Sequence, residues 1–449
     1  MKGVGKLIFA VVLSFSLWLL PALLPENAPG ALASVSHAQN TGEKKERKTR
    51  KTPAMREKTY KKLSESRELA EADDYVGALR ALDSLSRQKD LNSYELAQMY
   101  NFYGYIHFSQ ENYPLALKDY ENVLAQPNLP LGMETSTIYT VAQLYFTQED
   151  YVRAERQLRR WFTVAENPGP SPYVLLGQAL YQQAEASKDM NKYREAIIPV
   201  EKAISIRIAQ GKPPKENWLL LLRVFYFELG DLDKVEEILV QLLVINPKRD
   251  YWVQLSGIYG ERDEVDKQLI AYEMVYIQGL LKSSREHVTM AQLYLQSNVP
   301  YKAGKVMERG FNSGRIEKTS RNYRLAAQAW TMAQEDEKAI PALVQAAKLS
   351  KDDGELDVRL ANAYFNLRQW RDSIDASRTG IDKGGLKRSD QANIMLGMAL
   401  YNVERYTQAI AAFRVARRDD RSRRMASQWI NHVSNEQKRQ EQLRQALAN

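Results

Sequence analysis

Residues 252–259 read WVQLSGIY, and residues 227–235 read FELGDLDKV. Joined, they describe one unit. A first helix carries an apolar residue, then a small one, then an aromatic three further on. A tight turn follows, and a second helix opens with Tyr-x-x-Ala. If the unit repeats, the period decides the fold.

It repeats along nearly the whole chain. The small residue of each first helix falls at Ser66, Gly104, Ala142, Gly177, Arg223, Ser256, Ala291, Ala327, Ala361 and Gly397. The matching residue of each second helix falls at Ala78, Ala116, Ala154, Ala196, Val235, Gln268, Ala303, Ala339, Ser373 and Ala409. Spacings in the first series run from 33 to 38 residues, with a single gap of 46. The second series keeps step with it. Small side chains at matched positions let paired helices cross closely, and Tyr75, Tyr113, Tyr151, Tyr193, Trp370 and Tyr406 fill the space at the start of the second helices. Acidic and amide residues before them suit a helix N-terminus. Pro127, Pro168 and Pro247 stop second helices.

This pattern resembles the tetratricopeptide repeat. It predicts an all-α chain: a right-handed superhelical solenoid of about ten helix pairs over residues 55–421, closed by a capping helix over 422–449. Arg223 and Gln268 stand where small residues are wanted, so pairs five and six are expected to pack more loosely. About seven extra residues around Ala184–Asn191 are expected to lengthen the turn of the fourth pair. The charged helix from Arg56 to Glu71 suits the open end of an array, which faces water.

The ends carry different signals. Lys2 and Lys6 precede LIFAVVLSFSLWLL at residues 7–20, and Ser36-His37-Ala38 offers small residues at a cleavage site. That order matches a secretory signal peptide over residues 1–38; the alternative is an uncleaved anchor from Leu7 to Leu24. Either way the rest is expected outside the cytoplasm, in the periplasm of a Gram-negative cell. Residues 39–54 form a basic linker whose core, EKKERKTRK at 43–51, has no apolar residue. It reads as a disordered arm: a solvated spacer, or a contact for an anionic surface such as lipid headgroups.

Composition removes several functions. The chain of 449 residues has no Cys and four His, at 37, 107, 287 and 432, with no two at helical ligand spacing. No disulfide, thiolate site or zinc centre is expected. The net charge of +8 is concentrated in the arm rather than along a nucleic-acid face, so no nucleic acid is expected. No Ser/His/Asp set and no glycine-rich phosphate loop appears, and the repeats leave no room for a cell-wall lytic domain. Neither catalysis nor a cofactor is expected.

The resemblance implies where a partner would sit. In the repeat family, positions two, five, nine and twelve of the first helix line a groove. They correspond here to Asn101, Tyr105, Phe108, Tyr139, Gln143, Phe146, Gln178 and Tyr181, and further on to Gln292, Arg324, Gln328, Asn362, Phe365 and Tyr401. Amides can bond an extended peptide backbone, and aromatics add contact area, although such rings also pack between repeats. The basic clamp by which some members hold a chain-terminal carboxylate is missing at Asn101, Tyr105, Tyr139 and Gln143.

A closer resemblance rests on residues 91–130, LNSYELAQMYNFYGYIHFSQENYPLALKDYENVLAQPNLP, and 134–162, ETSTIYTVAQLYFTQEDYVRAERQLRRWF. With the signal segment and basic arm, these resemble the periplasmic repeat proteins that accompany TonB–ExbB–ExbD systems in gammaproteobacteria. That implies an accessory scaffold in iron-siderophore or haem uptake, whose groove holds a segment of a TonB-system component. The alternative is a scaffold for envelope assembly, serving outer-membrane proteins, pili or polysaccharide export.

Overall fold

The structure, a computed structural model, describes residues 54–448. The expected signal peptide and most of the basic arm lie outside them. The described residues form twenty-one helices and, among themselves, no strand. Twenty helices make ten pairs. Those in residues 54–247 are α1 (Glu57–Glu71) with α2 (Tyr75–Ser86), α3 (Ser93–Ser109) with α4 (Tyr113–Leu124), α5 (Leu131–Thr147) with α6 (Tyr151–Val164), α7 (Pro170–Ser187) with α8 (Met190–Ala209), and α9 (Glu216–Glu228) with α10 (Leu232–Ile245). Those in residues 248–448 are α11 (Arg249–Glu261) with α12 (Val265–Ile277), α13 (Ser284–Gln296) with α14 (Pro300–Asn312), α15 (Ser320–Met332) with α16 (Asp336–Lys348), α17 (Gly354–Asn366) with α18 (Trp370–Lys383), and α19 (Ser389–Asn402) with α20 (Tyr406–Ala416). The last helix, α21, spans Arg423–Ala448. The described residues divide into two compact units at Pro247/Lys248.

The two small-residue series meet as expected. Ser66 Oγ donates to Ala78 O at 3.0 Å, Ser256 Oγ to Gln268 O at 3.0 Å, and Ser373 Oγ to Ala361 O at 2.9 Å. A Cβ on Gly177 would lie 3.0 Å from Ala196 O. Nineteen of the twenty series residues are buried, Arg223 being the exception. Gln268 does not splay its pair. The Ser256 bond holds the crossing closed, and the Gln268 amide turns over Gly260, where a Cβ would overlap it.

The turns inside the pairs share one device. The residue before each second-helix N-cap has positive φ: Asp73, Glu111, Glu149, Lys188, Gly230, Asp263, Asn298, Gln334, Arg368 and Glu404. Asp74, Asn112, Asp150 and Asp231 then cap, each accepting from the N–H three residues on. The extra residues of the fourth pair do not lengthen its turn. They extend α7 to 18 residues and α8 to 20, leaving only Lys188 and Asp189 between the helices. The segment Gln182–Ala186 is made of strong helix formers, so it propagates the helix instead of looping.

Polar pins join successive first helices at their N-terminal ends. Glu95 is fully buried and closes a capping box with Asn92. It also accepts from Arg56 Nε at 2.9 Å and Thr59 Oγ at 2.8 Å, tying α1 to α3. Burial alone would raise its carboxyl, but these bonds hold it down to about 2. Arg249 pairs with Glu286 at 2.7 Å, and Ser422 Oγ donates to Asp390 at 2.6 Å. The second of these fastens α21, whose Trp429 stacks on Phe413 with centroids 5.5 Å apart.

Candidate functional site

In residues 54–247 most of the expected groove rings are already used. Phe108 packs on Tyr113, Phe146 on Tyr151 at 5.2 Å, and Tyr139 on Trp161 at 5.5 Å. Tyr181 stacks on Phe225 at 5.1 Å and also meets Tyr193. Burial pushes the Tyr139 and Tyr181 hydroxyls up to about 12. Tyr105 is half-buried against the cluster that contains Leu63 and Leu82. The amides differ. Asn101, Gln143 and Gln178 are half-exposed, and their side chains have no hydrogen-bond partner among the described residues. The sequence places rings and amides at equivalent positions; packing has spent the rings and left the amides.

In residues 248–448 the same division holds. Phe365 sits edge-on to Trp370 at 4.9 Å. Tyr401 is covered by α21, its hydroxyl 3.1 Å from His432 Nε2 and its ring against Trp429. Asn362 is exposed, with no side-chain hydrogen-bond partner among the described residues. Gln292, Arg324 and Gln328 come together. They line one cleft of about 300 Å³, built by first helices α13, α15 and α17 over a floor that includes Val288.

Arg324 is not free in that cleft. It pairs with Asp353 at 2.6 Å and donates to Ser350 Oγ at 3.0 Å, so it ties α15 to the N-terminus of α17. Two arginines absent from the sequence-based set are the available cations. Arg321 and Arg359 line the cleft, are exposed, and have no ion pair among the described residues. Their signal was present: Arg321 lies one turn before Arg324, on the same helix face. The cleft therefore offers amides for a backbone and guanidinium groups for carboxylates. Among the described residues, no group of three or more His, Asp or Glu is placed to hold a metal ion.

Residues 358–423, the ninth and tenth pairs, match the tetratricopeptide repeat family. No curated protein matches the chain. Among solved structures, a tetratricopeptide repeat protein from Parabacteroides merdae ATCC 43184 is 17% identical, over 68% of this chain and 98% of that one, with a TM-score of 0.33. The MamA protein is 15% identical over 39% of this chain and 94% of its own, with a TM-score of 0.33. The TPR2AB domain of yeast Sti1, in its pHSP90 complex, is 15% identical over 68% and 99%, with a TM-score of 0.28.

Proposed function

We propose that this chain is a periplasmic scaffold that holds an extended, acidic segment of another protein on its first helices. One observation carries this: the α13–α15–α17 cleft, where Gln292 and Gln328 face out beside the unpaired Arg321 and Arg359. An extended backbone can bond the amides while its carboxylates meet the guanidinium groups. The partner we favour is a component of a TonB–ExbB–ExbD system, which makes the chain an accessory of siderophore or haem uptake. The signal-like residues 1–38 and the stretch 91–162 support that assignment.

A photo-crosslinking residue at Gln328, in living cells, tests both parts. Adducts with one partner are expected, lost in the Arg321→Glu/Arg359→Glu variant. Adducts with a TonB-system protein would support the specific role; adducts only with envelope-assembly proteins would overturn it and leave the scaffold standing. No adduct at Gln328 or Asn362 would remove the scaffold reading.

A further inference from the structure

A second cavity, of about 750 Å³, lies away from that cleft, where the ends of α12 and α14 meet the start of α13. Tyr276, His287, Arg309, Asn312, Ser313 and Arg315 contribute its polar surface, and no carboxylate lines it. Arg309 and Arg315 are exposed and have no ion pair among the described residues. The nearby Glu286 is already engaged by Arg249 and by the Lys282 N–H. Uncompensated positive charge therefore faces the cavity.

The histidine sharpens the reading. His287 is only 4% exposed. Its Nδ1 lies 2.9 Å from Ser283 O. A carbonyl oxygen can only accept, so Nδ1 carries a proton. That leaves Nε2 on the cavity side without a hydrogen-bond partner among the described residues. The ring is held in place by packing and by the Ser283 bond, so its second nitrogen is fixed and open to a ligand in the cavity. Arg309 has a structural reason to be basic, because it stands in the last turn of α14, near the negative end of that helix. That reason does not extend to Arg315, beyond the helix, or to His287.

We propose that this cavity binds a small organic phosphate. Two guanidinium groups and the Asn312 amide offer more donors than the two oxygens of a carboxylate use, and they suit the terminal oxygens of a phosphoryl group. His287 Nε2, which can only accept, suits the remaining P–OH proton of a phosphate monoester monoanion. A bare ion would leave most of the cavity empty. Its size falls within the range of roughly 300–1,000 Å³ typical of small-molecule sites, and the Tyr276 ring with Val306 forms a wall for the organic part. The site is separate from the peptide cleft and does not depend on it.

The test is titration of the purified chain at low salt with glycerol 3-phosphate, inorganic phosphate and glycerol, read by calorimetry and by the His287 ring signals. Saturable binding of the ester is expected, tighter than inorganic phosphate, with none for glycerol. Arg309→Ala/Arg315→Ala changes only exposed side chains. It is expected to weaken the ester about tenfold or more, with an unchanged circular dichroism spectrum. Arg417→Ala/Arg418→Ala, in the basic stretch before α21, is expected to leave affinity unchanged. Absence of saturable binding, or equal affinity in the first variant, would overturn the proposal. So would capture on phosphatidylglycerol vesicles without binding of the soluble ester, which would assign the charge to a membrane.

Discussion

Residues 54–247 and 248–448 are built from the same helix pair and bury their rings alike, yet they differ in what they place most often at the outer positions of their first helices. In the first region the positions expected to face a partner are dominated by rings, and Tyr139, Phe146 and Tyr181 close against the neighbouring helices. In the second, Gln292, Gln328, Arg321 and Arg359 stay open around a cleft. A position in the repeat thus states which way a side chain starts, not whether it remains free. Apolar rings gain by finding a neighbour, whereas amides and guanidinium groups lose little by staying in water.

The sharpest structural break is expected in the second region, at Gly354. A Cβ there would overlap Gly380 O and crowd Gly384 O, both backbone atoms that cannot swing aside. Gly354→Ala should cost about 3 kcal/mol in urea unfolding. In the first region, Gly104→Ala meets the Tyr120 ring at 2.9 Å, which can give way, so its cost should be smaller. Equal losses at the two sites would mean that both crossings yield alike.

Next comes the contrast between the two faces. Tyr139→Ala removes a half-buried ring from Trp161 and should lower stability by about 2 kcal/mol. Gln328→Ala should change stability by less than about 0.5 kcal/mol while weakening partner capture. If Tyr139→Ala left stability untouched and abolished capture, the ring would be a contact residue after all, and the distinction between the regions would collapse.

The helix pairing was readable in the sequence because most crossings take a small side chain, so residues such as Ser66, Ser256 and Ser373 recur at near-regular steps. The fate of the rings was not. Trp161 meets Tyr139 across the third pair, far from the small-residue crossing, and Phe225 meets Tyr181 from the next pair, 44 residues on, so neither contact is written in the repeat pattern. The engagement of Arg324 was not legible either, because its partner Asp353 belongs to the next pair. The extra residues of the fourth pair were visible by count. Whether they became loop or helix depended on helix propensity, which a gap of 46 does not express.

Glu95 gives the first region a pH dependence. Its folded carboxyl sits at about 2, below the ordinary Glu value of about 4.3 expected in the unfolded chain. A depressed folded value contributes stability that is complete above the unfolded value and lost as pH falls toward about 2. Glu95→Gln should remove part of that acid-side slope. It should also cost about 2 kcal/mol near neutrality, since the Arg56 guanidinium loses its charged partner and Oε2, which accepts from Arg56 and the Asn92 N–H, becomes a donor. An unchanged slope between about pH 4.5 and 2 would show that the pin does not govern acid stability.

The smallest expected effect concerns the turns that both regions share. Glu149 and Arg368 hold φ near +60° immediately before a helix N-cap, a conformation that costs an L-residue roughly 1 kcal/mol and glycine almost nothing. Gly230 already occupies the equivalent place in the fifth pair. Glu149→Gly and Arg368→Gly should each raise stability, by about 0.5 kcal/mol once the added freedom of the unfolded chain is subtracted. The gain should be the same in both regions, because the turn is internal to each pair and independent of what its first helix presents. A gain at Glu149 with a loss at Arg368 would mean that the Arg368 side chain supports its own region in a way that Glu149 does not.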